Sequence, residues 1–169
     1  MQMPIKLALL LITLFSLSAC SKYQFTLNET VVHTPPALFT DFQTADKSLQ
    51  NCLDQTIKDQ NITSPQQLTL LSCSHAGIKS LDGLEVFSNL SHVNLGNNQL
   101  QRVQALGKMG RIETLLLNDN QLQSAPEILT LPKLQKLDLA NNSNLDCGDL
   151  RQLQKSYTGD LTIPEQCRP

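Results

Sequence analysis

From Leu68 to Leu145 the apolar residues return with a period of 22. Leu90, Val93, Leu95, Asn98 and Leu100 fit the pattern L-x-x-L-x-L-x-x-N-x-L without a gap, and Ile112, Leu115, Leu117, Asn120 and Leu122 repeat it. Leu134, Leu137, Leu139 and Asn142 repeat it again, with the last apolar position displaced by one residue to Leu145. One period before these lie Leu68, Leu71, Cys73, Ala76 and Ile78, with Ala where the later units carry Asn. The second half of each unit agrees as well: Leu81, Leu84 and Phe87 correspond to Val103, Leu106 and Met109, then to Ala125, Ile128 and Leu131. Within each Leu-x-Leu the side chains alternate, which predicts a short strand with its Leu set inward and the intervening residues in solvent. No unit of this size buries its apolar stripe alone, so neighbouring units must stack into one continuous core.

These residues resemble the short, 22-residue class of leucine-rich repeats found in bacterial internalin-like proteins, over about residues 68–146. The resemblance implies an α/β solenoid, a right-handed superhelix of about four short coils with one strand per coil on the concave side. It also implies tight, often 3₁₀-like turns on the convex side. Asn98, Asn120 and Asn142 follow the strands where the chain bends, and their amides are expected to satisfy backbone groups that lose ladder partners there. Pro126 and Pro132 fall in the convex half, where no sheet donor is needed.

A solenoid exposes its core at both ends and needs covers. Asp46 is expected to cap a helix carrying Leu49, Cys52, Leu53 and Ile57 on one face, placed over the first coil. Cys73 takes an inward strand position of that coil, which makes Cys52 and Cys73 plausible partners across the junction. Cys147 follows the last repeat, and the segment through Leu150, Leu153, Leu161 and Ile163 to Cys167 is expected to close the far end. Four Cys allow three pairings. A bridge needs Cα atoms within about 7 Å, and the ends of a four-coil stack lie roughly 15 Å apart, so cross-end pairing is excluded if the solenoid holds. Each bridge closes a loop worth roughly 3 kcal/mol in the chain-entropy account.

The remaining Cys belongs to a different signal. Lys6 is the only charge before Lys22, and Leu7 to Ala19 form an apolar run broken by Thr13, Ser16 and Ser18. The run falls short of the roughly 20 residues that span a bilayer and matches the centre of a secretory signal peptide. Leu17-Ser18-Ala19-Cys20 resembles the bacterial lipobox, which implies cleavage before Cys20 and lipidation of its thiol. Ser21, in place of Asp, implies outer-membrane sorting by analogy with lipoproteins of Gram-negative bacteria. The mature chain would then have 169 − 19 = 150 residues and 12 − 15 = −3 formal charges. Two or three acyl chains suffice for stable anchoring. The expected organisation is a signal peptide at 1–19, a lipidated tether at 20–45, an N-terminal cap at 46–67, repeats at 68–146 and a C-terminal cap at 147–169. The tether holds Tyr23, Phe25, Phe39 and Phe42, and Tyr23 to Leu27 alternate like a strand.

A net charge of −2 and a pI near 5.9 exclude a broadly basic nucleic-acid binder. The chain carries no Gly-rich phosphate loop, no H-E-x-x-H and no nucleophile elbow. His75 and His92 are separated by about 16 Å along the strand direction, too far to share a metal. Asp119 and Asp138 are expected on the concave side in different registers of adjacent coils, without the pocket that paired catalytic carboxylates need. Neither a metal, a cofactor nor enzymatic activity is expected.

What remains is the outward surface of the strands: Leu70, Ser72 and Ser74; His92, Asn94 and Gly96; Thr114, Leu116 and Asn118; Lys136, Asp138 and Ala140. Leu70 and Leu116 are apolar where polarity was free. Four short strands offer a few hundred Å², against about 800 Å² per partner in a stable interface. The expectation is a monomeric protein-interaction module, anchored to the envelope by lipid alone, that also uses a flank or cap to hold its protein partner. A structural or assembly role in an envelope complex is the alternative, and a small-molecule binder the more distant one.

Overall fold

The computed structural model describes residues 25–27 and 30–168 and divides the chain after Ala37 into two compact units. In the first unit, strands β1 (Phe25–Leu27) and β2 (Thr30–His33) pair antiparallel, Thr26 opposite Val31. Among the described residues, the second unit, from Leu38 on, carries the remaining elements.

Its centre is a parallel sheet of five three-residue strands in sequence order: β3 (Leu70–Ser72), β4 (His92–Asn94), β5 (Thr114–Leu116), β6 (Lys136–Asp138) and β7 (Asp160–Thr162). The register joins Leu71, Val93, Leu115, Leu137 and Leu161, so the 22-residue period becomes the spacing between coils as far as β6. Opposite the sheet, 3₁₀ turns at Leu84–Val86, Gln104–Lys108 and Pro126–Thr130 pack on one another in succession. Such tight turns shorten each return path enough to complete a coil in 22 residues. The Leu, Ile, Phe and Met positions of the repeat fill the interior; Leu90, Leu95, Leu100, Ile112, Leu117 and Leu122 are wholly buried.

The bends after the strands are held by the three Asn side chains, all buried. Asn98 Nδ2 donates to Cys73 O and Leu95 O, both at 2.9 Å, while its Oδ1 accepts from Ile78 N at 3.0 Å and Ala76 N at 3.1 Å. Asn120 bonds Leu95 O, Leu117 O and Leu100 N in the same way, and Asn142 bonds Leu117 O, Leu139 O and Leu122 N. Each amide therefore serves its own bend and the preceding coil at once, covering backbone groups that would otherwise be buried unpaired at about 1–3 kcal/mol each. The residue before each ladder position, His75, Asn97, Asp119 and Asn141, has φ between 54° and 58°. This left-handed bend is one that Asn and Asp tolerate better than most side chains.

At the N-terminal end, α1 (Lys47–Gln60) buries Leu49, Leu53 and Ile57 against the first coil. Asp46 caps it and does more. Its Oδ1 accepts from Ser48 N and Leu49 N, and its Oδ2 accepts from Lys79 N at 2.7 Å and Ser80 N at 3.2 Å, tying the helix start to the first coil. Cys52 and Cys73 form a disulfide with Cα atoms 5.9 Å apart. Gln60 Nε2 donates to Leu70 O on the free edge of β3, which shields that edge from other strands.

Two details differ from expectation. One is that the chain from Leu38 onward packs as part of the repeat unit. Phe42 is buried, and Phe39 and Phe42 contact the Phe87 ring edge-on, with centroids 6.0 and 5.0 Å away. Gly83 permits this, because a Cβ there would collide with the Gln43 carbonyl oxygen. These contacts join residues with no repeat relationship, so periodicity could not announce them. The second difference is the fifth strand. The C-terminal cap consists of α2 (Cys147–Ser156), capped by Asp146, followed by β7 and a 3₁₀ turn at Glu165–Cys167. Gly159 lets β7 lie alongside β6, since any Cβ there would meet the Gln135 carbonyl oxygen. The α2 helix lengthens this last return to 24 residues, from Leu137 to Leu161, which carries β7 out of the 22-residue frame. Cys147 and Cys167 are joined, Cα atoms 5.2 Å apart.

Asn120→Ala removes an acceptor for Leu100 N and donors for two buried carbonyls; a loss of about 3 kcal/mol in urea unfolding is expected, against less than about 0.5 for Lys133→Ala on the surface. Asp46 makes a pH-dependent contribution. Burial opposes its charge, but the four backbone N–H groups outweigh that and hold its pKa below the usual carboxylate value. A folded-state pKa below the unfolded one stabilises the protein above the ordinary Asp range near pH 4, and that contribution is lost as pH falls through the lower folded value. Acid titration of stability should therefore be shallower in Asp46→Asn than in the parent chain.

Candidate functional site

Parallel register arranges the outward strand residues in rows. One row runs Leu70, His92, Thr114, Lys136 and Asp160; the next runs Ser72, Asn94, Leu116, Asp138 and Thr162. The rows change character along the sheet. Across β3 to β5 they line a shallow trough of about 290 Å³, whose walls include Leu70, Ser72, His92, Asn94, Thr114 and Leu116. Leu70 is 52% exposed, a large apolar side chain in open solvent at the trough's end. Across β6 and β7 the surface turns ionic, with Lys136 Nζ 3.0 Å from Asp160 Oδ2 and both side chains solvated. An exposed pair of this kind adds little stability.

The polar side chains of these rows are not equally free. Asn94 Oδ1 accepts from Gly96 N at 3.1 Å, and Asp138 Oδ1 accepts from Ala140 N at 3.0 Å, so both fold back along their own chain. Ser91 Oγ lies 2.9 Å from His92 Nδ1, which steadies the imidazole over the trough. Asn118 stands past the end of β5, over Gly96; a Cβ on Gly96 would sit 2.6 Å from Asn118 Oδ1. It therefore borders the strand rows without lining the trough, as do Lys136 and Asp138.

Asp119 departs from its expected place. It occupies the left-handed bend after β5, off the strand face, and accepts from Asn118 Nδ2 and Asn141 Nδ2, both at 2.7 Å. Those two bonds, with a smaller contribution from the charge of His75, hold its carboxyl below the usual range despite slight desolvation. It is thus joined to its amide neighbours and makes no pair with Asp138. Among the described residues, no three His, Cys, Asp or Glu side chains converge to hold a metal ion. Cys20 lies outside the described residues.

No protein-family model matches the chain. It is 34% identical over 74 residues to the geranylgeranyl transferase type-2 subunit alpha of Sus scrofa, and 32% over 77 residues to that of Bos taurus. Those stretches amount to 43% and 45% of this chain but only 13% and 14% of the relatives' lengths. Among solved structures, an internalin (inlF) of Listeria monocytogenes superposes over 70% of this chain and 37% of its own, with a TM-score of 0.58 and 21% identity. Internalin C2 of the same species superposes over 72% and 54%, with a TM-score of 0.57 and 21% identity. The fold is that of a leucine-rich-repeat protein, and at this level of identity the likeness concerns architecture alone.

Removing either amide beside Asp119, by Asn118→Ala or Asn141→Ala, should raise the Asp119 pKa toward the ordinary carboxylate value in a carbon-detected NMR titration.

Proposed function

We propose that this chain is an exported, lipid-anchored leucine-rich-repeat module that recognises a protein partner in the bacterial cell envelope, tethered to the outer membrane through Cys20. The observation that carries the recognition role is the trough across β3 to β5. It is lined by the outward Leu70 and Leu116, with Leu70 exposed at one end, on a sheet whose remaining outward strand positions are polar. Burying those leucines under a partner's side chain is favourable, whereas leaving them in water gains nothing for the fold.

Two features support export. Both disulfides close the ends of the repeat domain, and such bonds persist in oxidising compartments. The apolar run ending in Leu17-Ser18-Ala19-Cys20 supplies the lipidation signal. No helix among the described residues is long and apolar enough to cross a membrane. On this reading the membrane is reached through acyl chains, and the module binds without catalysis, as a monomer and without a cofactor.

Cys20→Ala should move the protein from the membrane to the soluble fraction of lysed cells; unchanged membrane association would defeat the anchor. For recognition, a photocrosslinking residue at Leu70 or Leu116 should yield a discrete adduct in cells, and the same residue at Val86 on the convex side should not. Leu70→Glu combined with Leu116→Glu should weaken capture of that adduct partner by about tenfold or more. Equal crosslinking from both faces would overturn the concave assignment.

A further inference from the structure

A second concavity of the repeat domain lies away from the sheet. A groove of about 730 Å³ lies where each coil passes from its ladder position to its 3₁₀ turn, spanning the first three coils. Six long polar side chains line it: Lys79, Gln99, Gln101, Arg102, Gln104 and Gln121. Among the described residues, none of these six side chains has a hydrogen-bond or ion-pair partner. Its floor includes Leu81 and Ala105, both buried, and Asp82 contributes one carboxylate to the wall.

The arrangement is repetitive and stiff. Gln99 and Gln121 are equivalent positions of successive coils, as are Lys79 and Gln101, so like positions recur at the coil spacing of about 4.8 Å. Much of the backbone beneath them is bonded: Gln99 N donates to Ile78 O at 2.9 Å and Gln121 N to Leu100 O at 3.0 Å. Ile78 N and Leu100 N are held by ladder amides, and Lys79 N and Ser80 N by Asp46. The unpartnered side-chain ends are left to meet a ligand, and they project from a framework held from coil to coil.

That chemistry narrows the ligand. A carboxamide offers both donors and an acceptor, which suits hydroxyl groups that do the same. Arg102 and Lys79 give a carboxylate two cationic side chains to meet, far from the density a nucleic-acid backbone requires. An added peptide strand would need a continuous row of free main-chain donors, and Lys79 N, Ser80 N, Gln99 N and Gln121 N along the groove are already bonded. We propose that this groove binds a short carboxylate-bearing oligosaccharide, with its hydroxyls on the Gln carboxamides and its carboxylate on Arg102 and Lys79. The site is separate from the trough on the concave sheet. Without an aromatic side chain among its walls it has no stacking platform, so the affinity is moderate.

Isothermal titration of the full chain with tetragalacturonate, maltotetraose and tetraglutamate tests this. Tetragalacturonate should bind with a Kd on the order of 10⁻⁴ M, and the neutral glycan and the acidic peptide at least about tenfold more weakly. Arg102→Gln and the double variant Gln101→Ala with Gln121→Ala should each weaken tetragalacturonate binding by about tenfold, with circular dichroism melts matching the parent chain. Leu70→Glu on the concave sheet should leave it unchanged. Absence of binding by tetragalacturonate up to millimolar concentration, equal binding of tetraglutamate or maltotetraose, or full affinity in Arg102→Gln would overturn the proposal.

Discussion

A solenoid coil must bend sharply at the end of each strand, and the bend leaves backbone N–H and C=O groups inside the protein without a ladder to join. The rest of this structure depends on how that deficit is met. Asn98, Asn120 and Asn142 each present a side-chain amide that donates to carbonyls of two coils and accepts from a backbone N–H of the preceding one. Hydrophobic burial drives the coils together but is indifferent to register. The amides supply the register, because their bonds form only when successive coils align at a displacement of one repeat. The first coil carries Ala76 at the ladder position, where no earlier coil exists to be bonded.

The ends follow a different logic. Each closes with a helix and a disulfide: Cys52–Cys73 fastens α1 to the first coil, and Cys147–Cys167 fastens the start of α2 to the final 3₁₀ turn. Asp46 links α1 to the coil beneath it through four N–H groups, a charged bond set that persists at neutral pH. On the far side the cap extends the sheet itself, adding β7 as a fifth strand. The caps therefore do more than exclude water: one fixes Lys79 at the mouth of the flank groove, and the other sets Asp160 beside Lys136 at the end of the concave surface.

Two surfaces with unlike chemistry result from one repeat. The strand rows offer an apolar trough at their N-terminal side, suited to a partner's side chains. The flank offers carboxamides and two cations above an apolar floor. Neither requires a conformational change of the framework, since the groups that shape them are bonded from coil to coil. Small concave area alone gives modest affinity, and two sites on one module would allow a weak protein contact and a weak glycan contact to reinforce each other through effective concentration.

Contacts that recur at the repeat interval were legible in the amino-acid order. The inward Leu set, the ladder Asn residues and the outward rows at Leu70, His92, Thr114 and Lys136 all follow from a period of 22, because a translation along the chain equals a translation along the stack. The capping face of Leu49, Leu53 and Ile57 was legible from helical spacing. Contacts at other intervals were not. Phe39 and Phe42 against Phe87, Gln43 over Gly83, β7 beside β6, and the bond network that takes Asp119 off the sheet face each join residues whose separation obeys no period. Periodicity reports only what every coil does. Where the chain enters, leaves or turns aside, steric fit between particular side chains decides the outcome, and that fit exists only once the stack has formed.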